Sequence, residues 1–190
     1  DLLYQLGVVL FNRAKYERCT EILEKWYGRQ DGSRSSGKCC RYIGFSYFRL
    51  NNEASAMTWL QRALAFDEFD AESLSCLGEL YLTSRQGNDI ALMLLEKSVE
   101  IGGNGKEYLF RYGKGLNVAG MFTDAVPVLR KCVRDQARKH LVWYELSIAF
   151  LGLQEYNNAR LYFNNVINNP EVTSGIRKKA EEFLKNISRG

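Results

Sequence analysis

The sequence predicts an all-α protein built from repeated helical hairpins. Five times, a Gly or Ser is followed three residues on by a large side chain and twelve or thirteen residues on by a small one. Successive Gly or Ser positions lie 34 to 37 residues apart. A period near 34 residues is typical of stacked helix-turn-helix units. The five sets are Gly7–Leu10–Cys19, Gly44–Tyr47–Ala56, Gly78–Tyr81–Ala91, Gly113–Leu116–Ala125 and Ser147–Phe150–Ala159.

Apolar spacing divides each repeat into two helices. In the second repeat, Ile43 and Tyr47 lie four residues apart, and Ala56 and Leu60 repeat this spacing after a short polar turn. Because the turn is short, the two helices must lie antiparallel. The same spacing predicts helix pairs at about 1–13/16–28, 37–50/53–66, 71–84/89–101, 106–119/122–135 and 139–153/156–168.

The repeats predict a single array over residues 1–190, because stacked units form one continuous structure. A final amphipathic stretch at 174–188 places Ala180 and Phe183 on one face and charged residues on the other, which is typical of a capping helix. Two glycine-rich segments, 28–37 and 102–105, interrupt the pattern, and we expect mobility in the first and a looser joint at the second. The predicted repeats are about 1–34, 37–70, 71–105, 106–139 and 140–173.

Composition excludes several classes of protein. The chain is 46% hydrophobic and 25% charged, as in ordinary folded proteins, and its net charge of +4 is too small to indicate nucleic-acid binding by itself. No apolar run approaches the length of a membrane span, so we expect no membrane insertion. The chain begins without Met and in helical register, and we therefore expect it to be a segment of a longer protein.

The cysteines indicate a reducing environment. Their number, five, is odd, and no pair has the spacing of a zinc site. Cys19 and Cys132 occupy positions where the repeat requires a small buried side chain, a role that free Cys fulfils. We therefore expect reduced thiols and a cytoplasmic location. The adjacent pair Cys39 and Cys40 leaves a strained vicinal disulfide as an alternative.

Residue patterns for catalysis are missing from the sequence. His140 is the only histidine, and neither a phosphate-binding loop nor a dinucleotide-binding motif occurs. The sequence therefore predicts a protein that is not an enzyme and that uses no metal or cofactor.

The repeat pattern resembles the tetratricopeptide-repeat family, whose unit is a 34-residue helical hairpin. The similarity covers about residues 1–170, and the first repeat is the least regular because Trp26 replaces a small residue. This resemblance implies a right-handed α-α superhelix of about five units, followed by the capping helix. The fifth repeat matches best, through Trp143, Leu146, Ser147, Phe150, Tyr156, Ala159, Phe163, Val166 and Pro170.

The resemblance also implies a binding surface, because in this family the first helix of each repeat lines a concave groove. Aromatic side chains beside Arg are typical of protein-binding hot spots. About half of the aromatic side chains are nevertheless expected to pack between repeats. The repeat register predicts partner binding by Tyr4, Phe11, Arg41, Tyr42, Phe45, Phe48, Arg49, Phe110, Arg111, Lys114 and Tyr144.

Three functions follow as hypotheses. The leading one is a non-catalytic scaffold that holds a peptide segment or helix of a partner protein in the groove. Its alternative is self-association, as part of an oligomeric assembly such as a bacterial envelope or secretion complex, indicated by Trp26 and Tyr27 in the irregular first repeat. Nucleic-acid binding is disfavoured because phosphate contact needs a broader basic face. It would use Arg130, Lys131, Arg134, Arg138, Lys139 and His140.

The carboxylate clamp by which some family members bind chaperone tails is not present in its standard form. Tyr4 and Val8 occupy positions where that clamp has Lys and Asn. A role as an adaptor for chaperone tails is therefore disfavoured.

Overall fold

The computed structural model describes residues 2–29, 34–84, 87–103, 105–133 and 139–187. Within these ranges the chain forms eleven helices and no strand, which confirms the predicted all-α fold class. It divides into two compact units, Asp1–Gly103 and Asn104–Gly190. The first contains α1 (Leu2–Asn12), α2 (Tyr16–Tyr27), α3 (Arg34–Arg49), α4 (Glu53–Phe66), α5 (Ala71–Ser84) and α6 (Asn88–Gly102). The second contains α7 (Lys106–Val118), α8 (Phe122–Cys132), α9 (Lys139–Gly152), α10 (Tyr156–Ile167) and α11 (Ser174–Ile187).

The helix bounds agree with the predicted pairs except at two ends. α8 ends at Cys132, three residues before the predicted end. α3 begins at Arg34, three residues before the predicted start and inside the segment expected to be a loop. The reason is packing, because Ser36 is fully buried and a Cβ on Gly37 would lie 2.7 Å from the Cβ of Phe66. Parts of both predicted glycine-rich segments, 30–33 and residue 104, lie outside the described residues.

In the first four hairpins, a glycine without a side chain lets the two helices approach closely. A Cβ on Gly44 would lie 2.8 Å from Leu60 Cγ, although real Cβ contacts essentially never fall below 3.0 Å. A Leu at the equivalent position lies 16 or 17 residues after the Gly in each of the first four hairpins. In the fifth hairpin Ser147 replaces Gly, and the fully buried Phe163 lies at the Leu position. The other three pairs are Gly7 with Leu23, Gly78 with Leu95, and Gly113 with Leu129.

A left-handed residue closes the turn of four hairpins. It lies seven residues after the Gly or Ser, at Ala14, Asn51, Gly120 and Gln154, with φ between 54° and 75°. In each turn the N–H of the residue after the left-handed one donates a hydrogen bond to the carbonyl of the large residue at 2.9 Å, for example from Asn52 to Tyr47. This bond ends the first helix in a Schellman motif and reverses the chain. The turn of the third hairpin includes residues 85 and 86, which lie outside the described ranges.

Buried apolar side chains join successive hairpins within the first unit. Cys19, Leu23 and Trp26 of α2 pack against Cys39 and Ile43 of α3. A second cluster joins α4 to α5 in the same way, through Ala56, Leu60, Cys76, Leu77 and Leu80.

The last helix covers the end of the second unit as predicted. Phe183 of α11 stacks on Phe163 of α10, with ring centroids 5.3 Å apart, and Ala180 is fully buried. The guanidinium of Arg160 donates to the carbonyl of Ile187 at 3.2 Å. Among the described helices, none has both the length and the apolar character required to cross a bilayer.

All five cysteines are free and buried. Burial, followed by the neighbouring Cys40 and Cys19, raises the pKa of the Cys39 thiol to about 12. Burial likewise raises the pKa of Cys19 and of Cys40. The vicinal disulfide alternative is not formed, since Cys39 and Cys40 are separate thiols.

Adding a methyl group at the hairpin glycines should destabilise the fold. We expect Gly78→Ala to lower the free energy of unfolding by roughly 1–3 kcal/mol, because the Cβ would meet Leu95 and also the Ala91 carbonyl oxygen at 3.1 Å. Gly113→Ala should cost less, because its close neighbours are side-chain atoms of Leu129 and Val128. Urea unfolding measures both. Gly175→Ala is the control, since nothing lies within 4 Å of its Cβ, and equal effects at all three sites would contradict this packing.

Thiol reactivity should depend on unfolding. Thiolates are the reactive form, so at pH 8 the folded protein should react slowly with Ellman's reagent, whereas the chain in guanidinium should release five equivalents. The pKa of Cys39 is raised on folding, so its contribution to stability is present below its ordinary pKa of 9.0 and is lost as the pH rises towards about 12. Rapid native labelling of Cys39 or Cys40 would contradict the observed burial.

Candidate functional site

An aromatic cluster joins the first helices of the first two hairpins. The ring of Phe11 on α1 lies 5.1 Å from that of Tyr42 and 6.4 Å from that of Phe45, both on α3. Tyr16 of α2 contacts the same Phe11 ring at 5.7 Å. All four side chains are half-buried. We call Phe11, Tyr42 and Phe45 the α1–α3 aromatic cluster, and its rings are held in place while part of each surface stays exposed.

Tyr4 packs against the buried cluster that joins α2 to α3. Its ring lies 5.1 Å from that of Trp26, which is 4% exposed and occupies the position where the repeat pattern has a small residue. Burial, together with Tyr42 and Cys39, raises the pKa of the Tyr4 hydroxyl. The irregular first repeat therefore replaces a small side chain with an aromatic pair between α1 and α2.

Arg41 is held by carboxylates of its own chain. Its Nη1 lies 3.2 Å from Asp70 Oδ1 and 3.5 Å from Glu72 Oε2, and its guanidinium lies over the Tyr42 ring at 5.7 Å. Burial alone would lower the pKa of Arg41, but Asp70 and Glu72 outweigh burial and raise it. Arg41 therefore links α3 to the start of α5 and positions Tyr42.

The sequence analysis missed Asp70, which precedes α5 and lies outside the inward register of the first helices. Its second oxygen, Oδ2, accepts a hydrogen bond from Ser73 Oγ at 2.9 Å. An Asp three residues before a Ser at the start of a helix is the available sequence signal. That pattern predicts a helix start but not an ion pair with Arg41.

Phe48 and Arg49 lie at the end of α3. Phe45 and Phe48 pack against the cluster that joins α4 to α5, and both remain half-buried. Arg49 is exposed. This end of α3 therefore presents apolar ring surface next to an accessible positive charge.

Two open pockets lie along α3, the first beside its N-terminal half and the second at its C-terminal end. Their volumes, about 340 and 310 Å³, lie at the small end of the range for ligand pockets. Each is lined by both apolar and charged groups. The first is lined by Gly37, Lys38, Arg41, Ala63, Phe66, Asp67 and Asp70, and the second by Phe48, Arg49, Asn51, Glu53, Glu79, Leu80 and Thr83.

The predicted residues of the second unit lie on α7 and α9. Phe110, Arg111 and Lys114 are all half-buried on α7, and Arg111 Nη2 lies 2.9 Å from Glu107 Oε1 one turn away. The ring of Tyr144 on α9 lies 6.2 Å from that of Phe163. Burial and then the neighbouring Glu145 raise the pKa of the Tyr144 hydroxyl.

Asn117 joins α7 to α9 beside these residues. Its side-chain N–H group donates to both the carbonyl oxygen and Oε2 of Glu145, each at 2.9 Å. Asn117 is 7% exposed, whereas Glu145 is half-buried. The two first helices of the second unit are therefore linked by a partly buried polar contact.

Two of the basic residues considered for nucleic-acid binding contact aromatic rings of their own chain. The guanidinium of Arg130 lies 5.7 Å from the Phe150 ring centroid, and the ammonium of Lys139 lies 5.0 Å from that of Trp143. Arg134 and Arg138 lie outside the described residues. Within the described ranges, no group of three or more His, Cys, Asp or Glu side chains is arranged to hold a metal ion.

Comparison with solved structures identifies the fold. No protein-family model matches the chain, and no curated protein sequence matches it. YrrB, described as a TPR protein with an unusual peptide-binding site, superimposes with a TM-score of 0.74 at 17% identity, covering 95% of this chain and 90% of YrrB. The chain has the tetratricopeptide-repeat fold.

MamA proteins also have this arrangement of helices. MamA from strain AMB-1 gives a TM-score of 0.74 at 17% identity, covering 87% of this chain and 96% of MamA. MamA from Desulfovibrio magneticus RS-1 gives 0.73 at 15% identity, with 87% and 92% covered. At sequence identities this low, the structural similarity establishes only the fold of the chain. The roles of the eleven site residues remain predictions.

Neutralising Asp70 should destabilise the first unit more than neutralising Glu72. Asp70→Asn removes the shielded charge, as the Asp70 side chain is 12% exposed, and should cost on the order of 1–2 kcal/mol. Glu72→Gln removes a partner that is 54% exposed and should cost less than about 1 kcal/mol. Denaturant unfolding measures both variants. Equal losses, or none at Asp70, would show that Arg41 does not depend on its shorter ion pair.

Proposed function

We propose that this protein is a non-catalytic scaffold that binds a peptide segment of a partner protein on the first helices of its first unit. The main observation in support of this proposal is the α1–α3 aromatic cluster, whose half-buried rings lie beside Phe48 and the exposed Arg49. The similarity to YrrB supports this function, because that protein is described as having a peptide-binding site.

The physical basis is partial pre-organisation. Rings already packed on one side lose little further conformational freedom when a ligand covers the other side, so more of the apolar contact contributes to affinity. Arg49 adds an accessible cation, whereas Arg41 is occupied by Asp70 and Glu72. The surface therefore fits a peptide that carries an apolar side chain close to an acidic one.

The location proposed with this function is cytoplasmic. Five buried free thiols support a reducing compartment.

Protein is favoured over nucleic acid as the class of partner, since Arg130 and Lys139 lie against aromatic rings of their own chain.

The test selects peptides from a displayed random library on the wild-type protein and measures their affinity by calorimetry. The double variant Phe45→Ala/Arg49→Ala should bind the selected peptides at least about tenfold more weakly, as for loss of hot-spot residues. The matched control is Met93→Ala/Arg18→Ala, which removes an exposed apolar side chain and an exposed Arg from second helices.

Because Phe45 also packs against the cluster that joins α4 to α5, Phe45→Ala is expected to lower stability as well as binding. The single variant Arg49→Glu separates these two effects. Arg49 is exposed, so Arg49→Glu should retain the helical circular dichroism and still weaken binding of acidic peptides. Failure to select any peptide, or equal affinity of wild type, Arg49→Glu and the double variant, would refute this function.

A further inference from the structure

The second pocket along α3 lies where three helices of the first unit come together. Phe48 and Arg49 line it from the last turn of α3, and Glu53 lines it from the first turn of α4. The last two turns of α5 contribute Leu80 and Thr83. We call this cavity, of about 310 Å³, the α3–α5 pocket. Its volume suits one side chain of a partner better than a whole cofactor.

The floor of the α3–α5 pocket is apolar and is fixed by the core. Leu80 is 1% exposed and belongs to the buried cluster that joins α4 to α5. Phe48 packs against the same cluster but remains half-buried, so part of its ring surface is accessible. Such a floor contacts the hydrocarbon stem of a long side chain, and an aromatic ring also attracts a cation over its face.

The rim of the pocket favours a positive charge. Glu53 and Glu79 supply two carboxylates, against the one guanidinium of Arg49 among the described lining residues. The pocket also adjoins the C-terminal ends of α3 and α5, and the C-terminal end of a helix stabilises cations. The positive end of α4 has a cap of its own, because the Asn52 side chain accepts a hydrogen bond from the Ser55 N–H at 3.2 Å.

Two charges of the rim are available to a ligand. Glu53 and Arg49 are both exposed, and neither forms an ion pair with another described residue. Arg41 differs, since its guanidinium lies 3.2 Å from the Asp70 carboxylate. A ligand cation at Glu53 therefore gains a partner without breaking an ion pair inside the protein.

We infer that the α3–α5 pocket binds an arginine side chain. The hydrocarbon stem lies along Phe48 and Leu80, and the guanidinium donates to the carboxylate of Glu53, with Glu79 as a second acceptor. Arginine fits better than lysine because its planar guanidinium stacks on an aromatic ring while it donates to carboxylates. In a bound peptide this arginine stands near the acidic residue that Arg49 attracts. That the arginine belongs to a peptide rests on the proposed function, whereas the arginine site itself does not.

The direct probe is N-acetyl-arginine amide, titrated into isotope-labelled protein and followed by NMR through the backbone amides of Asn51, Glu53 and Thr83. We expect saturable shifts with a Kd of roughly 1–10 mM, as for a single side chain in an open pocket. N-acetyl-norleucine amide keeps the stem but lacks the charge, and it should bind at least about threefold more weakly.

Glu53→Gln removes the charge and keeps the shape of the side chain. It should weaken binding of the arginine amide by about two- to fivefold, the range for an exposed ion pair, and leave binding of the norleucine amide unchanged. Glu17→Gln is the matched control, because Glu17 is an exposed residue in the first turn of α2, another second helix. This control should bind both probes as the wild type does.

Peptides that the displayed library yields on the wild-type protein extend the measurement to the partner. Arginine should be enriched in them near an acidic residue. Replacing that arginine by norleucine should weaken binding to the wild type by about two- to fivefold and should have little effect on binding to Glu53→Gln. Such coupling requires contact between the two charges, which a merely structural role of Glu53 would not produce.

Four results would overturn the arginine site. They are the absence of saturable shifts, shifts confined to Lys38 and Asp67 of the first pocket, equal binding of the norleucine amide, and unchanged binding of the arginine amide to Glu53→Gln. Selected peptides without a preference for arginine would overturn the peptide part of the inference and leave the peptide-binding function standing. Binding of the arginine amide without selection of any peptide would support the site and refute that function.

Discussion

The insertion of one large side chain over the glycine of the facing helix is the contact on which the rest of the structure depends. In the second hairpin, Leu60 occupies the space that a side chain on Gly44 would need. Burying such a Leu contributes about 1.5–3 kcal/mol, and the contact recurs along the chain. It also fixes the rotation of the first helix, because the Gly side must face the second helix. Phe45 and Phe48, on neighbouring positions, then lie to one side of that contact and pack against the buried cluster that contains Leu60.

The residues predicted to face a partner consequently divide into supporting and exposed groups. Arg41 is restrained by Asp70 and Glu72 and holds its guanidinium over Tyr42, so its charge is already balanced. Arg49, two turns further along α3, is exposed. A surface of this kind combines rigid rings with one accessible charge, and such a combination favours specificity because the ring positions are set before a ligand arrives.

The sequence predicted much of the fold because its signal is steric and repeats at a fixed period. Small side chains at Gly44 and Ala56 are required wherever two helix backbones approach, so their register locates helices and turns within a few residues. The start of α3 was predicted wrongly because Gly and Ser favour loops locally, whereas contact of Gly37 with Phe66 stabilises an extra helical turn. Tertiary contact outweighed local propensity there.

The site was less predictable than the fold. Repeat register places Phe11, Tyr42 and Phe45 on first helices, but their mutual distances depend on how successive hairpins pack. The pairing of Arg41 with Asp70 spans 29 residues and has no periodic signal.

The left-handed turns have a consequence for engineering. Ala14 and Gln154 adopt φ of 54° and 60°, a conformation that costs an L-residue with a Cβ roughly 1–2 kcal/mol. Gly120 meets the same requirement without that cost. The hairpins therefore tolerate strain at their tips because helix pairing holds them closed. A protein engineer could recover this stability at residues outside the aromatic cluster, to offset destabilising changes made within it.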